Sequence, residues 1–470
     1  MRELWKKGAA ELAALIRSRN VSCREVVEAH LSRIADANAN LNAVTVVLSD
    51  TALEAANAAD RALKAGEPVG ELCGVPFTVK EGIDVAGSAS THGLAPLRNA
   101  VAQKDSPVVA ALRGVGGIPI ARTNMPEFGM RWHTTNAMHG ATKNPWNSNR
   151  TPGGSSGGEA AAIASGMSPL GIGSDGAGSL RWPAQCCGIA ALKPSHGRVP
   201  IVSSGPFPFA FQLLAALGPM ARSVDDLRLA FRHMCGESIG DPWHVPAPLE
   251  WPSVKRPIHV GVMVNPGGIG VHPDVARAVD SASAMLSDAG YVIEPREAPL
   301  LQRVSEIYVQ IMSRFGRISS EPQRAPVGLV SAEFDEFWAR FHLPWERAAG
   351  EVTHDPMMER VTIYLEWAEL LNECPLILAP IATEPAFRVG EDLEPEWGER
   401  WLSALRMIMV PSLLGLPSVS VPVEFGSGMP QGVQIIAPRF REDLCLEAAH
   451  AVESRSLIVP AFEFTPRGAR

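Results

Sequence analysis

Two serines set among glycines carry most of the chemistry this chain could perform. Ser155 lies in the run Thr151-Pro152-Gly153-Gly154-Ser155-Ser156-Gly157-Gly158-Glu159, and Ser179 lies in Ser174-Asp175-Gly176-Ala177-Gly178-Ser179-Leu180-Arg181. Glycines beside a serine admit backbone conformations that a Cβ would forbid. They also leave N–H groups close enough together to wrap an anion. A hydroxyl beside such donors has the two parts acyl transfer needs, a nucleophile and a place for the oxyanion. A serine hydroxyl is a poor nucleophile until a base takes its proton, and Lys80 closes the apolar run Val75-Pro76-Phe77-Thr78-Val79, where taken singly it reads as a solvated strand-end lysine. An exposed lysine, with a pKa near ~10.4, keeps its proton at neutral pH. Burial at the end of an apolar strand disfavours the charge and brings that value toward a useful range.

Three other readings compete for the same residues. Gly153-Gly154-Ser155-Ser156-Gly157 satisfies G-x-S-x-G, the nucleophile elbow of α/β-hydrolases, which requires an acid and a histidine later in the chain. His233, His342 and His354 sit in no such context. A Gly-rich loop before a helix is also the form of a phosphate cradle, but the lysine of a Walker motif does not follow the glycines. Structural glycines in tight turns are the third reading, and they leave the recurrence of three polar groups unexplained.

Further segments extend the pattern. They are Gly74-Val75-Pro76-Phe77-Thr78-Val79-Lys80-Glu81, Arg122-Thr123-Asn124-Met125-Pro126-Glu127-Phe128, Asn144-Pro145-Trp146, Arg181-Trp182-Pro183-Ala184 and Gly188-Ile189-Ala190-Ala191-Leu192-Lys193-Pro194. Gly218-Pro219-Met220-Ala221-Arg222, Gly415-Leu416-Pro417-Ser418 and Gly432-Val433-Gln434 complete it. Together with the serine core these resemble the amidase signature family from about residue 10 to about 450, most thinly over 240–370. The resemblance implies an α/β fold with one domain over residues 1–470 and a large mixed β-sheet sandwiched between α-helices. The signature core would span about 74–222 and a variable substrate-side region about 240–400. It also implies a Ser–Ser–Lys triad with a cis peptide before the middle serine. Carried over by position, Ser179 would be the nucleophile, Ser155 the bridging serine and Lys80 the base. The oxyanion hole would be the backbone N–H groups of Gly176, Ala177, Gly178 and Ser179. Gly129, Met130, Ser156 and Phe207 are the expected substrate contacts, and neither a cofactor nor a metal is expected. One departure stands out: the family usually writes the turn Asp-(Ile/Thr)-Gly-Gly-Ser, so the loop of this chain is expected to bend differently around Ala177. Asp175 and Arg181 are expected to be a buried pair holding the loop. His133 and His139 are expected to be structural, and Cys186 and Cys187 to pack.

Substrate preference is sought where the family's amidotransferase subunits carry Ser-Leu-Asp-Gln-Ile. This chain reads Leu213-Leu214-Ala215-Ala216-Leu217 there. Loss of the polar pair disfavours a charged amino-acid substrate. Phe207, Phe209 and Phe211 are expected near a pocket mouth. Trp338, Trp345, Trp367, Trp397 and Trp401, with Phe334, Phe337 and Phe341, recur at helix-core spacing, which favours packing over substrate contact. The expectation is a serine hydrolase of apolar or aryl amides, with carbamates (a urethanase activity) and esters chemically adjacent. The alternative is an amidotransferase-type subunit or an inactive family member.

The elements that must hold these residues follow from periodicity. Leu12, Leu15 and Ile16 mark one helix face, Val26, Val27, His30, Leu31 and Ile34 a second, and Thr51–Ala65 a third helix. Strands are expected at Val75–Lys80, Ile118–Arg122, Ile258–Met263, Pro375–Ala379 and Ser418–Val423, with helices at Val108–Arg113, Gly158–Ser165 and Val275–Ala289. That alternation indicates an α/β layered sheet. Residues 237–258 read as a long connection. A net charge of -8 argues against a nucleic-acid partner, which needs a basic face. No apolar run approaches the ~20 residues of a membrane span. Glu11 interrupts the apolar stretch after Lys6 and Lys7, so an amphipathic helix is read there rather than a signal peptide. The seven cysteines are odd in number and widely scattered, show no zinc spacing and make an unlikely disulfide framework, so the cytoplasm is the expected default. The expected partner is a small-molecule amide or carbamate, with a homodimer left open.

Overall fold

The strand that ends in Lys80 forms as its apolar run predicts, and it forms deep inside the sheet. In the computed structural model, which describes residues 3–202, 208–252, 254–315, 329–339, 355–394, 396–456 and 461–463, all of Pro76–Lys80 is buried. The strands are β1 (Val44–Val47), β2 (Pro76–Lys80), β3 (Ile118–Thr123), β4 (Leu170–Asp175), β5 (Ala190–Lys193) and β6 (Ala216–Ala221). β7 (His259–Val262), β8 (Val292–Pro295), β9 (Leu376–Pro380), β10 (Ser418–Gly426) and β11 (Met429–Ile436) complete the set. They form one 11-stranded sheet in the order β1-β3-β2-β4-β6-β5-β10-β11-β9-β7-β8. β2 runs parallel to both β3 and β4, and β7 parallel to both β8 and β9, while β4, β5, β6, β10 and β11 join through antiparallel pairs. The sheet is mixed, as expected, and helices cover it. Continuous apolar runs such as β2 and β9 belong to strands buried on both faces.

β4 and β6 carry no such signal, because glycine and proline interrupt them. The interruption has a packing reason. A Cβ on Gly171 would lie 1.9 Å from Glu159 Oε1, and one on Gly218 would lie 2.0 Å from the Leu192 carbonyl. A helix side chain and the backbone of the neighbouring strand β5 approach there too closely for a Cβ, which overrides strand propensity. The helix Gly157–Ala164 that makes this approach is buried along its whole length. The expected connection over 237–258 contains neither helix nor strand among its described residues. No domain boundary falls there, since β7 beyond it pairs with β9, and β9 with β11. Among the described residues, no helix is long and apolar enough to cross a membrane.

Candidate active site

Lys80 is 1% exposed and its Nζ donates to three hydroxyls: Ser155 Oγ at 2.7 Å, Ser174 Oγ at 2.9 Å and Ser156 Oγ at 3.0 Å. The topology accounts for the meeting. β2 and β4 are parallel neighbours, so the end of β2 that carries Lys80 and the end of β4 that carries Ser174 lie on the same edge. Ser155 and Ser156 immediately precede the helix Gly157–Ala164, and the Gly154–Ser155 peptide is cis. Ser156 donates its own proton to the Ser174 carbonyl at 3.3 Å, so it accepts from Lys80. Burial pulls the Lys80 amine down to about 7, against the opposing charges of Asp175 and Glu159. At that value a large share of the amine is neutral at physiological pH, and its lone pair is open to a proton from Ser155 or Ser174.

The turn after β4 carries Ser179. This side chain is 8% exposed, and its hydroxyl has no hydrogen-bond partner among the described residues. The pair expected at the base of the turn is present and fully buried. Arg181 Nε donates to Asp175 Oδ2 and its Nη2 to Asp175 Oδ1, both at 3.0 Å, while Nη1 reaches Gln434 Oε1 at 2.9 Å. Burial alone would raise Asp175, but Arg181, Lys193 and the Gly178 N–H outweigh it and hold the carboxyl at about 2. The Gly178 N–H donates to Asp175 Oδ1 at 2.7 Å and the Leu180 N–H to Oδ2 at 3.2 Å. Of the four expected oxyanion donors, Gly178 is therefore already engaged in closing the turn. The N–H groups of Gly176, Ala177 and Ser179 have no acceptor among the described residues.

The departure at Gly176-Ala177 costs the turn no conformational freedom it needs. Gly178 has φ +96, and a Cβ there would meet Ile408 Cδ1 at 2.1 Å. Glycine is required at 178, where it is kept. A Cβ on Gly176 would meet nothing nearer than Tyr308 Oη at 3.9 Å. Two aromatic donors outside the sequence motifs fix the turn's orientation: Tyr308 Oη donates to the Gly176 carbonyl at 3.0 Å and Trp132 Nε1 to the Ala177 carbonyl at 3.1 Å. Because each trans peptide is planar, pinning the Gly176 carbonyl on one side directs the Ala177 N–H to the other. Trp132 stands just beyond the Arg122–Phe128 motif, whereas Tyr308 lies where the resemblance is thinnest and carries no signal in the sequence.

The other expected contacts divide. Gly129 (φ +70) lies against the site, since a Cβ there would be 3.2 Å from Ser155 Oγ. Met130 follows it, half-buried. Ser156 touches Lys80, as described. Phe207, Phe341 and Trp345 lie outside the described residues. Phe209 is 40% exposed and packs on Trp243 with ring centroids 6.1 Å apart. Trp367, Trp397 and Trp401 are buried, as packing residues should be. Trp397 and Trp401 stack at 5.4 Å, and Trp401 meets Trp182 at 5.5 Å. Phe334 and Phe337 lie closer to the chemistry: Phe334 packs on Phe128 at 6.3 Å, and Arg131 sits over Phe337 at 5.5 Å, beside the segment that holds Gly129. Ala216 pairs with Asp175 across β4 and β6, next to the serine turn. Ala215 instead lines a separate cavity of about 280 Å³ with His196, Ile201, Gln212 and Trp243. His133 bonds Thr151 Oγ1 and His139 bonds Glu81, both structural contacts. Among the described residues, no group of three or more His, Cys, Asp or Glu side chains could hold a metal ion.

A mixed sheet gathers three serine hydroxyls around a buried amine beside a glycine turn. The family model described as Amidase matches residues 25–446, and the chain belongs to the amidase signature family. It is 38% identical to an indoleacetamide hydrolase of Bradyrhizobium diazoefficiens over 96% of this chain and 87% of that one. It is 32% identical to a glutamyl-tRNA(Gln) amidotransferase subunit of Chromohalobacter salexigens over 97% of this chain and 98% of that one. Among solved structures, a bacterial aryl acylamidase of the same family superposes with a TM-score of 0.81 at 26% identity, covering 98% of this chain and 99% of that one.

Proposed function

We propose that this amide hydrolase works through a Ser179–Ser155–Lys80 triad and prefers amides with an apolar or aryl acyl part. The observation that carries the mechanism is the buried Lys80 amine, brought to about 7 and bonded at 2.7 Å to Ser155. Neutral Lys80 takes the Ser155 proton, and Ser155 takes that of Ser179. Ser179 Oγ attacks the substrate carbonyl, forming the C–O bond as the carbonyl π pair moves onto oxygen. The free N–H groups of Gly176, Ala177 and Ser179 receive that oxyanion. Collapse breaks the C–N bond, and the proton held on Lys80 returns through Ser155 to the leaving amine. Water, deprotonated along the same path, then hydrolyses the acyl-enzyme.

The substrate preference rests on Ala216 opposite Asp175, on Phe334 and Phe337 against the Gly129 segment, and on the likeness to the indoleacetamide hydrolase. An apolar wall gains about 25 cal/mol per Å² of substrate surface buried. Burying a zwitterionic amino-acid end without partners costs several kcal/mol. The likeness to an amidotransferase component supports a second reading, in which glutamine is the amide donor. The test is kcat/KM for indole-3-acetamide, 4-nitroacetanilide, a phenyl carbamate, a phenyl ester and glutamine. The aryl amides are expected to exceed glutamine by at least ~100-fold, and equal or better turnover of glutamine would establish the second reading instead. Fluorophosphonate treatment is expected to give one adduct, on Ser179, in the wild type and none in Ser179→Ala. An adduct on Ser155 would overturn the assignment of nucleophile.

A further inference from the structure

A second ionisable group lies buried beside Lys80 and has no part in the proton path above. Glu159 is fully buried on the helix that begins just after Ser155 and Ser156. Its Oε1 accepts from the Thr78 hydroxyl and its Oε2 from the Thr123 hydroxyl, the latter at 2.7 Å. Thr78 stands two residues before Lys80 on β2, and Thr123 on β3 is the register partner of Lys80 itself. The carboxylate therefore joins three elements: the helix behind the paired serines, the strand that carries the lysine and the strand alongside it. Gly171 on β4 leaves the space the carboxylate fills, since any Cβ there would collide with Oε1 at 1.9 Å.

We propose that Glu159 is a positioning residue for Lys80: through Thr78 and Thr123 it fastens the serine-bearing helix to the lysine-bearing strand, and its buried charge acts on the lysine amine. The proposal rests on the reading of Lys80 as the base. The geometry gives the carboxylate two distinct effects. The strap fixes the 2.7 Å and 3.0 Å contacts from Nζ to Ser155 and Ser156, because both ends of those contacts are anchored to the same carboxylate. The charge favours the ammonium form of Lys80, as does Asp175 at the end of β4. His92, which faces Lys80 from the loop beyond β2, is itself pushed down by burial. Facing Glu159 are Lys80 and Arg122, which favour its ionised form against the burial that pushes it up to about 7. Asp175 and Glu159 are the carboxylates that offset the desolvation of Lys80, so removal of the Glu159 charge leaves Asp175 to do so alone.

Two variants separate the effects. Glu159→Gln removes the charge, keeps one acceptor oxygen for one threonine and turns an N–H donor to the hydroxyl oxygen of the other, whereas Thr123→Val keeps the charge and removes one strap. Carbon-13 NMR of the Lys80 ε-carbon follows its titration whether or not the enzyme turns over. In folded Glu159→Gln that titration is expected to move to lower pH by roughly half a unit or more. In Thr123→Val, kcat for 4-nitroacetanilide is expected to fall by roughly tenfold or more with KM little changed, since small misplacements of reacting groups are costly. An unmoved Lys80 titration in Glu159→Gln, or an unchanged kcat in Thr123→Val, overturns the proposal. Failure of the base assignment is distinguishable: Lys80→Ala would then keep its activity, while the NMR shift in Glu159→Gln would still report the charge coupling.

Discussion

Replacing Gly178 by alanine tests whether the serine turn is held as tightly as its contacts imply. The glycine has φ +96, a region that costs a residue with a Cβ about 1–3 kcal/mol. The added Cβ would also meet Ile408 Cδ1 at 2.1 Å and Cγ1 at 2.7 Å, and Ile408 is fully buried. Overpacking of this kind costs a further ~1–3 kcal/mol. The expected loss is therefore about 2–6 kcal/mol of stability, read from urea unfolding, provided the turn stays in place. If the turn moves to relieve the clash, a shift of ~1 Å at Ser179 lowers kcat by about 100-fold. Gly176→Ala is the control, because its Cβ would meet nothing nearer than 3.9 Å, and both stability and kcat should stay near wild type. Ile408→Ala removes the colliding atoms, so Gly178→Ala/Ile408→Ala should be less damaged than the sum of the single variants by ~1–3 kcal/mol. A harmless Gly178→Ala, a damaging Gly176→Ala or strict additivity in the double variant would each refute this account of the turn.

Two further outcomes follow from the buried charges. The neutral Lys80 amine is the active form and its value is about 7, so kcat/KM should climb as pH rises through about 7 and level off above it. Lys80→Arg should be inactive at every pH, because a guanidinium keeps its proton; a flat wild-type profile from acid to alkaline pH, or an active Lys80→Arg, contradicts the base assignment. Asp175→Asn leaves Arg181 buried without its counter-charge and should cost ~3–5 kcal/mol in urea unfolding, and a loss below about 1 kcal/mol would show that Gln434 and Ser412 suffice to hold the arginine.

Much of the site was legible because its parts are short runs whose residue types are dictated by local backbone needs. Gly153-Gly154-Ser155 and Gly178-Ser179 announce themselves, since Gly153 and Gly178 take a left-handed φ beside the serines. The apolar run ending in Lys80 is legible for a similar reason, as a strand buried on both faces has few polar options. β4 and β6 were not, because their glycines answer to Glu159 and to the Leu192 carbonyl, which approach from other parts of the chain. Tyr308 and Trp132, which pin the turn's carbonyls from 132 and 45 residues away, were equally invisible. Phe209 is half exposed and packs on Trp243, which lines the cavity of about 280 Å³.

The sequence by itself determined which groups could react and where the backbone must bend: two serines in glycine, a lysine closing an apolar strand, and a membership in the amidase family that the match over residues 25–446 bears out. Tertiary structure alone decided which protons those groups hold and which donors stay free. Desolvation, charge and hydrogen bonding belong to the surroundings of a side chain, and those surroundings come from β3, β4, the helix Gly157–Ala164 and the Asp175–Arg181 pair packing around Lys80. The same packing turns the Gly178 N–H onto Asp175 and leaves its three neighbours open, a distinction that no residue in the turn encodes on its own.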